Sequence, residues 1–185
     1  MTLTQDRLWT VEKYHHKIEC GILTAEDRVE LLEGRIVEMS PQRPLHAGVT
    51  YRTDEYLKIL LSDRAMVRVQ LPVTLSTSEP EPDIAVVRRD QGAYCDRHPG
   101  AKDIYFLIAI ADSTLRIDLQ EKKLIYAKAN IPEYWVLDIV ERRAHIFRNP
   151  TIQGYQSESL LPDNAVLSPL AFPTVSVSLG ELFLP

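Results

Sequence analysis

Apolar positions along this chain recur with two periods, and the switches between them outline a fold before any residue is given a role. Thr10 suits a helix N-cap, Val11, Tyr14 and Ile18 follow at helical spacing, and Gly21 suits the residue that stops such a helix. Val29 to Leu32 and Ile36 to Met39 flank Glu33-Gly34, the pattern of a tight hairpin. Pro41 and Pro44 break the chain, and a second helix is expected to carry His46, Val49, Tyr56, Leu57 and Leu60. Strands are expected at Met66 to Leu71, Val73 to Leu75 and Ile84 to Val87, with a loop from Arg88 to Lys102. Ile104 to Ala111 is the most continuously apolar run, which predicts a central strand buried on both faces. Leu115, Leu119, Leu124 and Ala127 predict a helix from about Leu115 to Ala129, ended by Pro132. Strands at Tyr134 to Ile139 and Ala144 to Phe147 follow, split by a polar turn at Glu141 to Arg143. Short strands and turns then lead to a brief helix near Leu179 to Phe183. The unit from Ile104 to Ile139 is long enough for a right-handed crossover. The fold class expected is α/β (α+β): a mixed central sheet flanked by helices, with an N-terminal helix and hairpin. No repeat or linker divides residues 1–185, so a single domain is expected.

Composition narrows the classes. With 45% apolar and 25% charged residues in 185, the chain has the makeup of a folded domain rather than a disordered one. No apolar run reaches the roughly 18 residues of a membrane span. The opening MTLTQDRLW has neither the basic nor the apolar region of a secretory signal, and Cys20 and Cys95 suggest neither a disulfide framework nor a zinc site. A reducing cytoplasm is the expected compartment. The net charge of −5 speaks against tight non-specific DNA binding, which relies on neutralising phosphates. Arg116, Lys122, Lys123 and Lys128 cluster in one segment, readable as a local basic groove or as a solvated helix face.

The densest candidate chemistry lies in Ser78-Glu79-Pro80-Glu81-Pro82-Asp83, directly before the apolar strand Ile84 to Val87. Proline fixes its own φ and biases the preceding residue towards extended backbone, so Asp83 is held rigidly at a strand start. A carboxylate so placed suits a hard cation such as Mg²⁺; the same residues are also compatible with an ordinary solvated turn. Asp118 and Lys122, four residues apart, can share one helix face, either as part of a site or as a routine surface ion pair. Tyr134 and Trp135 are read as core, and His15 and His16 as surface residues without companion ligands. There is no glycine-rich phosphate loop and no Ser-His-Asp or His-rich ligand pattern, which argues against an NTPase or another hydrolase class.

Several separated motifs carry a resemblance. Val29-Glu30-Leu31-Leu32-Glu33-Gly34, Met39-Ser40-Pro41, His46, Gln70 before Pro72, Pro82-Asp83, the strand Ile104 to Ala111, Asp112-Ser113-Thr114, Asp118, Lys122, Tyr126 and Ile131-Pro132-Glu133-Tyr134-Trp135 stand in the order of the Uma-type endonuclease family. That family abounds in cyanobacteria and belongs to the PD-(D/E)xK nuclease superfamily. The resemblance runs from about Trp9 to Leu182 and implies a restriction-endonuclease-like core that hydrolyses DNA with Mg²⁺ or Mn²⁺. It implies Asp83 as a metal ligand and catalytic carboxylate and Lys122 as the lysine beside the attacking water. Glu30 and Asp112 follow as further metal-ligand candidates, and Gln70, His46 and Asp118 as substrate contacts. It also implies a homodimer, for which the apolar stretch from Ala165 to Phe183 offers a surface.

One departure falls at the centre of the motif. The family carries a glutamate in the apolar strand, inside a triplet that here reads Ile108-Ala109-Ile110. Ala109 cannot ligate a metal, and losing such a charged group costs about 10²–10³ in rate. The sequence leaves three readings open: an inactive nuclease-fold binding or scaffold module, compensation by Asp112, Glu81 or Glu30, or a register of the motif other than the one taken here.

Overall fold

The computed structural model describes residues 7–183. The stretch Met1 to Asp6, which carries most of the reading that no secretory signal is present, lies outside the described residues. Helix α1 (Val11–Glu19) starts where Thr10 accepts the Lys13 N–H, and Gly21 at φ +67° follows its end, as the sequence predicts. Strands β1 (Val29–Leu32) and β2 (Arg35–Glu38) form the hairpin. Its turn holds Glu33 at φ 46° and Gly34 at φ 78°, and a Cβ on Gly34 would fall 2.8 Å from Leu8 Cβ and 2.9 Å from the Trp9 carbonyl. Only glycine fits there.

Helix α2 (Pro44–Leu61) uses Pro44 in its first turn and buries Val49, Leu57 and Leu61. The main sheet then takes β3 (Met66–Val69), β4 (Ile84–Val87), β5 (Ile104–Ala111), β6 (Glu133–Asp138), β7 (Arg143–Thr151) and β8 (Gly154–Pro162), adjacent in that order. Only the β5–β6 pair is parallel. A helical crossover joins them, made of α3 (Leu115–Ile117), a π-helical turn (Asp118–Lys122) and α4 (Lys123–Lys128). Strands β9 (Val166–Leu167) and β10 (Val177–Ser178) form a small ribbon near the C-terminus.

The sheet separates two apolar layers. Ile84, Val86, Ile108, Ile110 and Trp135 face α2 and the C-terminal segment. Ala85, Val87, Leu107, Ala109, Ala111 and Tyr134 face α4. Strand β5 alternates between the two, which is why its run is apolar throughout. Among the described residues, no helix is long and apolar enough to cross a membrane.

Several expectations are corrected. Val73 to Leu75 is not a strand: Val73 N–H donates to the Pro80 carbonyl and Leu75 N–H to that of Ser78, closing a loop, and Thr74 makes only an isolated bridge to Gly100. Strand β3 stops at Val69 because Gln70 turns to φ 49° before Pro72. The hairpin β7–β8 is far longer than Ala144 to Phe147. Pro150 is tolerated because β6 pairs with β7 only as far as Arg148, leaving Pro150 across from β8 alone. Most of the apolar stretch from Ala165 to Phe183 turns inward: Leu167, Phe172, Val175, Val177, Leu179, Leu182 and Phe183 belong to the core, while Val166 and Leu170 stay exposed.

Inside the β6 end of the core, Glu133 is fully buried. It accepts from Trp135 Nε1 at 2.9 Å, from Arg148 Nε at 2.9 Å and Nη2 at 2.6 Å, and from the Leu170 N–H at 2.7 Å. This cluster pins the C-terminal segment to the sheet. Arg148→Leu leaves a buried carboxylate without its counter-charge and is expected to cost about 3–5 kcal/mol in urea unfolding, with Glu133→Gln in the same background recovering part of the loss.

Candidate functional site

Asp83 ends the proline-stiffened segment and leads into β4. Its Oδ2 accepts the Ile110 N–H at 2.7 Å, and its Oδ1 lies 3.0 Å from His46 Nε2 and 3.4 Å from Gln70 Nε2. Its carbonyl accepts the Gln70 N–H. Ile84 pairs with Ile108, so one step further along this antiparallel register Asp83 falls opposite Ala109. The two positions that the resemblance pairs as carboxylates are therefore neighbours across β4 and β5.

His46 stands in the first turns of α2. The Thr50 hydroxyl donates to the His46 carbonyl at 2.8 Å, which leaves its oxygen, 3.4 Å from Nδ1, to accept from the ring. With Asp83 at Nε2, both ring nitrogens face acceptors, the arrangement that favours imidazolium. The Asp83 hydrogen bond raises the His46 pKa against burial, and the charges of Asp83, Asp112 and Asp118 add to the rise.

Lys122 leaves the π-helical turn and points inward, its side chain only 13% exposed. It meets Glu30 through both oxygens, at 2.8 Å and 3.0 Å. Burial disfavours its charge, but Glu30, Asp118 and Asp83 outweigh that and hold its pKa above the ordinary value. Glu30 is placed by the hairpin: Leu31 exchanges backbone hydrogen bonds with Glu79, and the Glu81 N–H donates to Glu30 Oε2 at 3.1 Å. Asp118 and Lys122 line the same cavity, as a shared helix face allows, without forming the direct ion pair that was the alternative; Asp118 accepts the Thr114 hydroxyl at 2.7 Å. In a π-helical turn the hydrogen bond runs five residues, here from Lys123 N–H to the Asp118 carbonyl, which alters the i,i+4 stacking.

These side chains border one cavity of about 120 Å³, lined by Glu30, Glu81, Asp83 and Asp118 with His46, Lys122 and Arg28. It has room for several water molecules. Burial pushes the Asp118 carboxyl up to about 6; Lys122 and Thr114 oppose the rise, while Asp83 and Glu30 add to it. Burial and the Glu30 charge likewise raise Glu81. Tyr126 is buried beside the same acids, its hydroxyl without a hydrogen-bond partner among the described residues, and its pKa is driven well up by burial and by Glu30, Asp118 and Asp83.

The donor set fits a hard divalent cation. Among the described residues no three His, Cys, Asp or Glu side chains converge closely enough to cage an ion. Mg²⁺, however, is commonly held by one or two carboxylates with waters and phosphate oxygens completing its shell.

The structure brings together Asp83, His46, Gln70, Lys122, Glu30 and Asp118. It does not bring in Asp112, which faces Arg43 Nη1 at 3.5 Å in an adjoining hollow. The basic cluster also dissolves: Lys122 turns inward, Lys123 meets Glu158 at 3.6 Å and Lys128 meets Glu33 at 2.5 Å. His15, read as a bare surface residue, lies 2.8 Å from the buried Glu79, with His98 at 3.8 Å. No sequence pattern links these three, because a loop return brings them together.

A family model described as "Uma2: Putative restriction endonuclease" matches residues 11–180. Among solved structures, a "putative nuclease belonging to DUF820" from Anabaena variabilis is similar, with a TM-score of 0.74 and 17% identity over 94% of this chain and 97% of that one; the likeness shows a shared fold. No curated protein matches.

Asp118 gives a pH test. Its carboxyl titrates near 3.8 in an unfolded chain and near 6 in the fold, so between those values the folded state keeps a proton that the unfolded chain has lost. Stability is therefore lost as pH rises through that window. Asp118→Asn is expected to stabilise the protein at pH 8 by on the order of 2–3 kcal/mol, the gain vanishing below about pH 4 in urea melts.

Proposed function

The chain belongs to the Uma2 family, and on that premise we propose that it is a nuclease that hydrolyses phosphodiester bonds in DNA with Mg²⁺ or Mn²⁺. The observation that carries the reading is Asp83, clamped at the start of β4 and bordering the same acidic cavity as Lys122.

In this reading Asp83 is the principal metal ligand, and a bound divalent cation supplies the positive charge that polarises the phosphate and acidifies water. The Ile110 N–H and His46 fix the carboxylate of Asp83, so its oxygens do not reorganise when substrate arrives. Lys122, held by Glu30 at the cavity wall, places an ammonium where it balances phosphate charge and orients the attacking water. His46 adds a second positive group beside the phosphate position, and Gln70 offers an amide to it. The attacking water gives up a proton to solvent as its oxygen bonds to phosphorus, the ester P–O bond breaks, and the departing oxygen takes up a proton from solvent.

Ala109 supports a second reading, a nuclease-fold module that binds without cleaving. The two readings separate in one experiment. Under the nuclease reading the protein binds Mn²⁺ in calorimetric titration and cuts single- or double-stranded DNA. Asp83→Asn then weakens metal binding at least about tenfold and slows cleavage by about 10²–10³. Absence of metal binding in the unaltered protein would leave the binding module as the surviving reading.

A further inference from the structure

Resting on the metal-dependent reading above, we infer that Glu81 supplies the second metal-binding carboxylate that Ala109 lacks. Glu38 and Glu121 also line the cavity but are exposed to solvent, and three other acids in the neighbourhood have charge or hydrogen-bond partners of their own. Asp112 faces Arg43 outside the cavity. Both Glu30 oxygens are taken by Lys122. Asp118 is 4% exposed and holds the Thr114 hydroxyl. Glu81 lines the cavity, as it does two neighbouring hollows, is half-buried and, among the described residues, its carboxylate has no hydrogen-bond or ion-pair partner.

Its backbone, by contrast, is fixed on every side. Pro80 and Pro82 restrict it, the Pro80 carbonyl accepts the Val73 N–H, and the Glu81 N–H is held by Glu30. The Asp83 carbonyl two residues on is held by Gln70. Glu81 and Asp83, two residues apart across a rigid proline, both line one cavity. A pair of acids on a stiff segment is the geometry that a second acid on β5 would otherwise provide. The acid has moved along the chain from the strand beside Asp83 to the turn before it.

The test is Mn²⁺ binding, read by calorimetry and by the electron paramagnetic resonance of the bound ion, on the full chain and on Glu81→Gln, Asp83→Asn, Ala109→Glu and the double variant E81Q/A109E. Circular dichroism melts in EDTA check that each variant folds. We expect Glu81→Gln to weaken Mn²⁺ at least tenfold and the double variant to return to within about threefold of the unaltered protein. Binding unchanged in Glu81→Gln but lost in Asp83→Asn overturns the role of Glu81 and leaves the nuclease reading standing. Loss in Glu81→Gln without recovery in the double variant overturns the equivalence with position 109. Equal or absent binding in the unaltered protein and Asp83→Asn overturns the metal reading itself, and Glu81 falls with it.

Discussion

A lysine ammonium turned into the protein needs a counter-charge, and the meeting of Lys122 with Glu30 meets that need across 92 residues of sequence. The constraint reaches well beyond the two side chains. Glu30 lies on β1, so the pair holds the N-terminal hairpin over the crossover between β5 and β6. The hairpin is in turn bridged to the Glu79 segment through Leu31, and that segment runs directly into Glu81 and Asp83. Three parts of the chain distant in sequence thus share one wall. The π-helical turn is part of the same solution. A regular α-helix would stack Asp118 and Lys122 at i,i+4 and let them pair on the surface. In the wider turn the lysine pairs with Glu30 and the aspartate with Thr114, while both still line the one cavity.

Asp83 is held in a different way. Its partners are a backbone N–H from the neighbouring strand, a histidine at the start of α2 and an amide where β3 has just ended. All three come from ends of regular elements, where the backbone turns and side chains converge. The sheet register does the rest, setting position 109 opposite Asp83. An alanine there packs into the layer under α4, beside a cavity that six carboxylate residues already line.

The sheet was legible because burial on both faces leaves a continuous apolar run, and Ile104 to Ala111 has one. The N-terminal hairpin was legible because Glu33-Gly34 carries its turn chemistry in two residues. Val73 to Leu75 misled because a buried loop needs apolar side chains as a strand does; Val73 and Leu75 are core residues whose N–H groups close turns instead of ladders. The extent of β7 and β8 was hidden by a solvated edge strand with little apolar alternation and by Pro150. At the site, Asp83 and Lys122 were marked by motif order, whereas the Glu30–Lys122 and His46–Asp83 contacts are tertiary and no local spacing encodes them. Asp112 looked equivalent to its neighbours because it follows the central strand, yet the chain has already turned there towards Arg43.

The places where local rules fail cluster together, and that is informative in itself. A buried carboxyl held near pH 6 and a buried tyrosine hydroxyl with no partner among the described residues are each unfavourable to the fold. Both lie beside the one cavity where Glu30, Glu81, Asp83 and Asp118 meet. A packed core with no further task would replace these groups with apolar ones at a gain in stability, as Leu107 and Val136 do a short distance away. Such groups are what the proposed site for a cation and a phosphate would require: an excess of oxygen donors, two fixed positive groups and a rigid first carboxylate. On that view the alanine at 109 removes one donor from a cavity whose remaining charge is still arranged for the same ligand chemistry.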